Sequence, residues 1–345
     1  MSVVSTRTMA PRLPTWAPLA AYVVALSAVA AVVARATPPG LLPPPQRPYT
    51  NDGDRRVRAG GLDYPRRAIG ADDAVLTLAR APQRVASYSW TLDELAYAVV
   101  PPSRIVGVSE SAYQRRISNV YETAERFRPA VLATNGGTDP ERVLRAAPDL
   151  LLAPTQPRAD VTHLMRAAGV PTYRMFATFA TLAQIEQHIR LVGYLSGDDE
   201  PARREAARFH DAVTRAAARH RPGTRPRVLG LGARYSYGPD TLFHDICRVL
   251  GAENVAAPHL IGYQSVNAEH IVRWNPEWIV AGAEPGQTDA VRHRLLSDPA
   301  VAATDAAARG QILVLEHHVF LPLSPFVTRL VEAMADAFYG AEARS

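Results

Sequence analysis

The chain of 345 residues has room for two domains of ordinary size, and its 47% hydrophobic and 21% charged residues are those of a globular protein with a real core. All 38 basic residues are arginine, and Arg7, Arg12 and Arg35 fall in an acid-free opening segment, which leaves the remainder near +2 of the formal +5. Scattered charge of that size excludes an electrostatic nucleic-acid binder. The single Cys247, in "DICRVLG", has no partner for an internal disulfide and reads as a small buried apolar residue on a helix.

Residues 1 to 36 read as a signal peptide or membrane anchor. Arg7 and Arg12 form a basic start, residues 16 to 33 are uncharged and mostly apolar, and "ARA" at 34 to 36 fits a small-x-small cleavage site. Eighteen residues also approach the length that spans a bilayer, so an uncleaved anchor is the rival reading. No cysteine follows the apolar stretch, so a lipid-anchored start is not expected. Either way the body of the protein is expected outside the cytoplasm, in a periplasm. Residues 37 to 65 read as a linker, with six prolines between Pro38 and Pro48.

From Tyr64 the pattern changes. "RAIGADDAVLTL" reads as a hairpin, "QRVASYS" as a strand, and "TLDELAYAVV" as a helix led by Thr91 as N-cap. "SRIVGVS" is a short apolar run. "TDPERVLRAA" is a helix with Asp139 as N-cap and Pro140 at its first position. The strand "PDLLLA", the helix "VTHLMRAAGV" and the strand "PTYRMF" follow. Next come about 40 residues of helical periodicity broken at Ser196-Gly197, with an apolar stripe at Ala207, Val213 and Ala217, read as a long helix pair bridging two lobes. After Pro226 strands and helices alternate again: "RVLGLGA", "TLFHDICRVLG", "AEHIVRWN", "PEWIVAG", "AVRHRLLS", "QILVLE" and a terminal helix "SPFVTRLVEAMADAFYG". The expected fold is α/β: two lobes with mostly parallel sheets, joined by a long helical linker. The expected boundaries are 66 to 180, 181 to 222 and 223 to 345.

Two stretches nearly repeat: "ERVLRAAPDLLLA" at 141 to 153 and "EHIVRWNPEWIVA" at 269 to 281. Any helix-to-strand turn accounts for the Pro, the acid and the apolar run. It does not account for the leading Glu in both. "APQRVASYSWTLDELAYAVVPPSRIVGVSES", "TDPERVLRAAPDLLLA", "PRVLGLGARYSYGPDTLFHDICRVLGAENVAA" and "SVNAEHIVRWNPEWIVAG" together resemble the class III periplasmic binding proteins, the vitamin B12, ferric siderophore and haem binding components of ABC importers. The resemblance covers about residues 64 to 340, in order. It implies a ligand cleft between lobes, and docking of Glu141 and Glu269 on arginines of a membrane permease.

The loops expected at the strand ends gather Tyr88, Trp90, Tyr113, Tyr235, Tyr237, Tyr263 and Phe320 in a chain that is only 7% aromatic. Aromatic walls suit a flat macrocycle or a catecholate ring. The ligand-binding expectation is Trp90, Tyr113, Arg115, Asn135, Tyr235, Tyr263 and His317, with Arg116 and Arg234 as further cations for an anionic chelate. His317 and His318 tempt as metal ligands, but the partners that a bare ion needs are not evident, and at a strand end at most one of the pair faces the cleft. "GLGAR" lacks the third glycine of a dinucleotide fingerprint, and there is no Gly-x-Ser-x-Gly elbow. No catalytic set, resident metal or cofactor is therefore expected. The expected protein is a monomer that binds a metal chelate and a permease and does no chemistry. The rival readings are a membrane-anchored chelate-processing enzyme or sensor on the same frame, or a membrane-anchored interaction module.

Overall fold

The computed structural model describes residues 62–134, 137–155, 159–232 and 235–340, all within the unit Gly53–Ser345. The readings of the export segment, of most of the linker, and of Asn135 and Arg234 lie outside the described residues. Among the described residues no helix is long and apolar enough to cross a membrane.

The antiparallel hairpin β1 (Arg66–Ile69) and β2 (Val75–Leu78) leads into the first lobe. That lobe contains β3 (Val85–Ser87), α1 (Trp90–Val99), β4 (Ile105–Ser109), α2 (Tyr121–Phe127), β5 (Ala130–Thr134), β6 (Gly137–Thr138), α3 (Pro140–Ala146), β7 (Leu150–Pro154), α4 (Ala159–Ala167) and β8 (Thr172–Met175). The sheet order is β6-β5-β4-β3-β7-β8, parallel except for β6. The order reverses beside β3, so the loop after β3 sits at the crevice where ligands bind open α/β sheets. The N-cap of α1 is Ser89, not Thr91; the main chain of Thr91 is already helical and its side chain is buried. Asp139 does cap α3, accepting from the backbone N–H groups of Glu141 and Arg142.

Two helices connect the lobes: α5 (Leu182–Ser196) and α6 (Asp199–Ala217). They form an antiparallel hairpin, with Gly193 against Ala202 and Glu186 beside His210. A Cβ on Gly193 would stand 2.2 Å from that of Ala202, so glycine is what lets the helices approach. Gly197, at φ +80°, supplies the left-handed turn between them. The buried stripe of α6 is Ala202, Ala206, Phe209, Ala212 and Ala216. Ala207 is exposed, so the sequence reading of the stripe was one residue out of phase. The turn is pinned to the first lobe by Arg104 on Asp198 at 2.8 Å and Arg66 on Asp199 at 2.7 Å.

The second lobe holds β9 (Arg227–Leu231), β10 (Tyr235–Tyr237), α7 (Leu242–Val249), β11 (Glu253–Asn254), β12 (Tyr263–Ser265), α8 (Ala268–Trp274), β13 (Trp278–Ala283), α9 (Thr288–Leu296), β14 (Ile312–Glu316), the one-turn α10 (His317–Phe320) and, after two further one-turn helices before β14, the terminal α11 (Thr328–Tyr339). The order is β12-β10-β9-β13-β14, with β11 also beside β9. Strands β9, β11, β13 and β14 are parallel, whereas β10 and β12 are an antiparallel addition at the edge. Tyr235, Tyr237 and Tyr263, expected on loops, thus lie on strands. Cys247 is buried on α7, and burial pushes its thiol well up.

The repeat has a common skeleton. In the first lobe Asp149, after the α3 turn, accepts from the backbone N–H groups of Gln83 and Arg84 at 2.8 and 2.7 Å. Arg84 returns two hydrogen bonds to the terminal carbonyls of α3, at Ala146 and Ala147. In the second lobe Glu277 accepts from the N–H of Arg227 at 3.1 Å, and Arg227 donates to the carbonyls of Trp274 and Asn275. The acid after the Pro thus holds the neighbouring strand's entry, and the Arg that begins that strand satisfies carbonyls the helix leaves free. One apolar cluster joins the lobes through the hairpin: Val85 and Leu150 of the first sheet, Val228 and Val280 of the second, Ile185 and Phe209 between.

Candidate functional site

A cavity of about 140 Å³ opens where the two lobes meet. Trp90, the first residue of α1, forms the wall from the first lobe. The second lobe supplies Tyr235, Tyr237 and Tyr263 from β10 and β12, Phe243 and Ile246 from α7, and the segment from Phe320 to Val327. The antiparallel edge makes the tyrosine wall, because Tyr235 and Tyr237 point as their register with Ser265 and Tyr263 dictates. The Tyr235 ring lies 5.5 Å from Tyr237 and 6.3 Å from Tyr263, edge to face. Tyr263 is 56% exposed and stands at the mouth.

The wall from the first lobe is held by a buried acid. Trp90 Nε1 donates to Glu94 at 3.1 Å, and the same carboxylate oxygen accepts from the backbone and side-chain N–H groups of Asn119 at 2.9 and 3.0 Å. The other oxygen accepts from Ser324 Oγ at 2.5 Å, across the lobe boundary. Burial raises the Glu94 carboxyl above the ordinary range, against the lowering effect of these donors. Its neighbour Asp93 accepts from Ser87 Oγ and Ser109 Oγ, both at 2.5 Å, and from Ser109 N–H at 3.0 Å; burial pushes it up to about 7.

Of the residues singled out in sequence, the structure brings Trp90, Tyr235 and Tyr263 to one cavity. Tyr113 lies half-buried beside β4 and donates its hydroxyl to the Pro129 carbonyl at 2.7 Å. Arg115 is exposed, its guanidinium 5.7 Å from the Tyr121 ring centre. His317 belongs to a second cluster that crosses the lobe boundary: Arg116 pairs with Glu284 at 3.1 Å, and His317 Nδ1 stands 3.5 Å from the same carboxylate. Burial holds His317 below the ordinary imidazole range despite Glu284. His317 and His318 open α10 and do not end a strand; His318 faces Glu316 at 3.3 Å, so their directions are not set by strand alternation. Among the described residues no group of three or more His, Cys, Asp and Glu side chains is placed to hold a metal ion. Tyr237 and Phe320, gathered among the loop aromatics but outside the expected binding set, also line the cavity, whereas Phe243, Glu94 and Glu284 carried no expectation. Phe243 and Glu94 sit on helices that read as core, and only the closeness of Tyr235 and Tyr237 in sequence hinted at the edge strand.

Glu141 and Glu269 occupy the first turns of α3 and α8 and are both exposed. Neither carboxylate holds the fold. Among the described residues Glu269 pairs with Arg273 on its own helix, at 2.6 Å, with both side chains mostly in solvent.

The description "periplasmic binding protein" belongs to the family model that matches residues 85–318. A cobalamin-binding protein of Halobacterium salinarum is 26% identical over 319 residues, covering 90% of this chain and 83% of that one. A vitamin B12-binding protein of Yersinia pseudotuberculosis is 29% identical over 238 residues, covering 67% and 81%. Among solved structures, a periplasmic heme-binding protein from Pseudomonas aeruginosa superposes with a TM-score of 0.62 at 24% identity, covering 75% of this chain and 94% of that one, a likeness of fold.

Proposed function

The chain belongs to the periplasmic binding protein family, and from that premise we propose that it is the extracytoplasmic substrate-binding component of an ABC importer, delivering a metal chelate to a membrane permease. It is a binding protein and not an enzyme. The observation that carries the reading of the ligand is the aromatic cavity, walled by Trp90 from one lobe and by Tyr235, Tyr237 and Tyr263 from the other. Such walls recognise a ring system by its faces and edges. Cobalamin is the favoured chelate, supported by the relatives named for it. Glu141 and Glu269 are proposed as the permease contacts: exposed, one on each lobe, and unused by the fold. Exposed ion pairs of this kind give register and steering, and they release easily.

The apolar cluster that the lobes share supports closure by small movements around the α5–α6 hairpin. The test is titration of the exported protein with cobalamin, haem and a ferric siderophore, followed by tryptophan fluorescence. Saturable quenching by cobalamin without turnover supports the reading. Failure of all three to bind would sink it.

A further inference from the structure

Ligand pockets for whole cofactors measure about 300–1,000 Å³. The cavity at Trp90 has about 140 Å³. A macrocyclic metal-bearing body does not fit within that space, so on the chelate-binding reading it lies outside it. An apolar cavity of about 150 Å³ does hold benzene in another protein. The deep walls here are aliphatic and aromatic, among them Leu242, Phe243, Ile246, Leu323 and Leu330. The Tyr237 ring lies 5.1 Å from Phe243 and 5.9 Å from Phe320, at 31° and 80°. Faces and edges are thus both on offer to an entering ring.

Both sides of the cavity are fixed in advance. Glu94 ties the indole of Trp90 to Ser324, the residue next to Leu323. The Tyr237 hydroxyl is buried in the lining and closes no hydrogen bond of ordinary geometry, although the Tyr235 side chain stands beside it. A buried donor in that condition favours any ligand atom that accepts from it.

We propose that this cavity is a one-ring anchor. It takes a single aromatic ring that projects from the chelate and carries a nitrogen or oxygen acceptor for Tyr237, while the metal-bearing body lies over Tyr263 at the mouth. The proposal rests on the chelate-binding reading and narrows it. A chelate with a projecting ring of the benzimidazole kind fits, whereas haem, whose rings all belong to one macrocycle, does not enter.

The probes are benzimidazole, toluene and cyanocobalamin, titrated against the exported protein by tryptophan fluorescence and ligand-detected NMR. Two variants accompany it: Leu323→Phe, which grows a ring into the cavity, and Tyr237→Phe, which removes only the hydroxyl. Benzimidazole is expected to bind saturably and weakly and to be displaced by cyanocobalamin. Leu323→Phe is expected to weaken both at least tenfold with an unchanged thermal midpoint. Tyr237→Phe is expected to weaken benzimidazole several-fold and leave toluene unaffected. Tight cyanocobalamin binding by Leu323→Phe and Tyr237→Phe alike, with benzimidazole neither bound nor competing, overturns the anchor and leaves the chelate reading intact. Saturable benzimidazole binding with no response to any chelate supports the cavity as a ring site and overturns the chelate reading instead.

Discussion

The unit at residues 141 to 153 and its counterpart at 269 to 281 share a skeleton and differ in what they pack. In both, an Arg at the entry of the neighbouring strand caps the helix, and an acid after the Pro grips that entry. Both helices end on a residue in the left-handed region, Ala147 at φ 45° and Asn275 at φ 39°. Inside, the first lobe buries small Ala146, whereas the second buries Trp274 stacked between His259 and His270 at 5.3 and 5.2 Å. Outside, both present a Glu that the skeleton does not use. What is constant inside belongs to folding. What is constant outside has only the modest gain of a first-turn acid on a helix to explain it, and the largest test acts there. The pair Glu141→Arg and Glu269→Arg is expected to abolish uptake in cells while chelate affinity in solution stays at the parental value. Normal uptake by the double variant would remove the docking proposal.

The first helices of the two lobes sharpen the contrast. On α7, Asp245 pairs with Arg248 at 2.7 Å and accepts from the backbone N–H of Leu182. On α1, Asp93 is buried with hydroxyl and amide donors and no cation among them. Its carboxyl keeps a proton up to about pH 7 in the folded state and releases it near 3.8 when unfolded. Its contribution is therefore fully present below about pH 3.8 and is lost as the pH rises toward 7. Asp93→Asn removes that loss. The variant should gain on the parent by an amount of order 3 kcal/mol between pH 4 and pH 7.5. Thermal midpoints at the two pH values check it; equal slopes for parent and variant would refute it. An Asp245→Asn variant should show no gain, because it gives up an ion pair.

The clamps give a smaller effect. Arg227→Ala should cost about 2 kcal/mol and Arg84→Ala about 1 kcal/mol, since Arg84 is the more exposed and water replaces its bonds more readily. Denaturant midpoints measure both. A larger loss at Arg84 would break the equivalence of the two units.

Much of this was legible in sequence, for reasons that particular elements show. The apolar run "LLLA" read as a buried strand because β7 is covered on both faces, Leu150 and Leu152 toward the shared core and Leu151 toward α3 and α4. The α5–α6 break read correctly because Gly197 carries its own conformational signature. The phase of α6 did not, because an Ala-rich helix offers little contrast between faces and only Phe209 marks the buried side. The β10–β12 pair left little local signal beyond the alternation of Tyr235 and Tyr237. Its strands have three residues each, and 25 residues separate the end of β10 at Tyr237 from the start of β12 at Tyr263, so no short turn announces a hairpin. The arrangement of the tyrosine wall was hidden with it. The aromatic count pointed to the right loops, but which rings share a cavity depends on that pairing.

The smallest effect concerns the third residue after each Glu. Leu144 and Val272 occupy equivalent positions on α3 and α8, and they are 43% and 47% exposed. Each lies beside its Glu on the helix surface, since residues three apart share a face. An aliphatic group left in solvent contributes nothing to the fold. Beside a docking carboxylate it would exclude water from the ion pair and strengthen it. Leu144→Ser with Val272→Ser should leave the thermal midpoint unchanged and lower uptake several-fold, well short of the charge reversal. Loss of stability in place of uptake would mean that the two side chains serve the lobes themselves, and the likeness of the two units would then be one of folding alone.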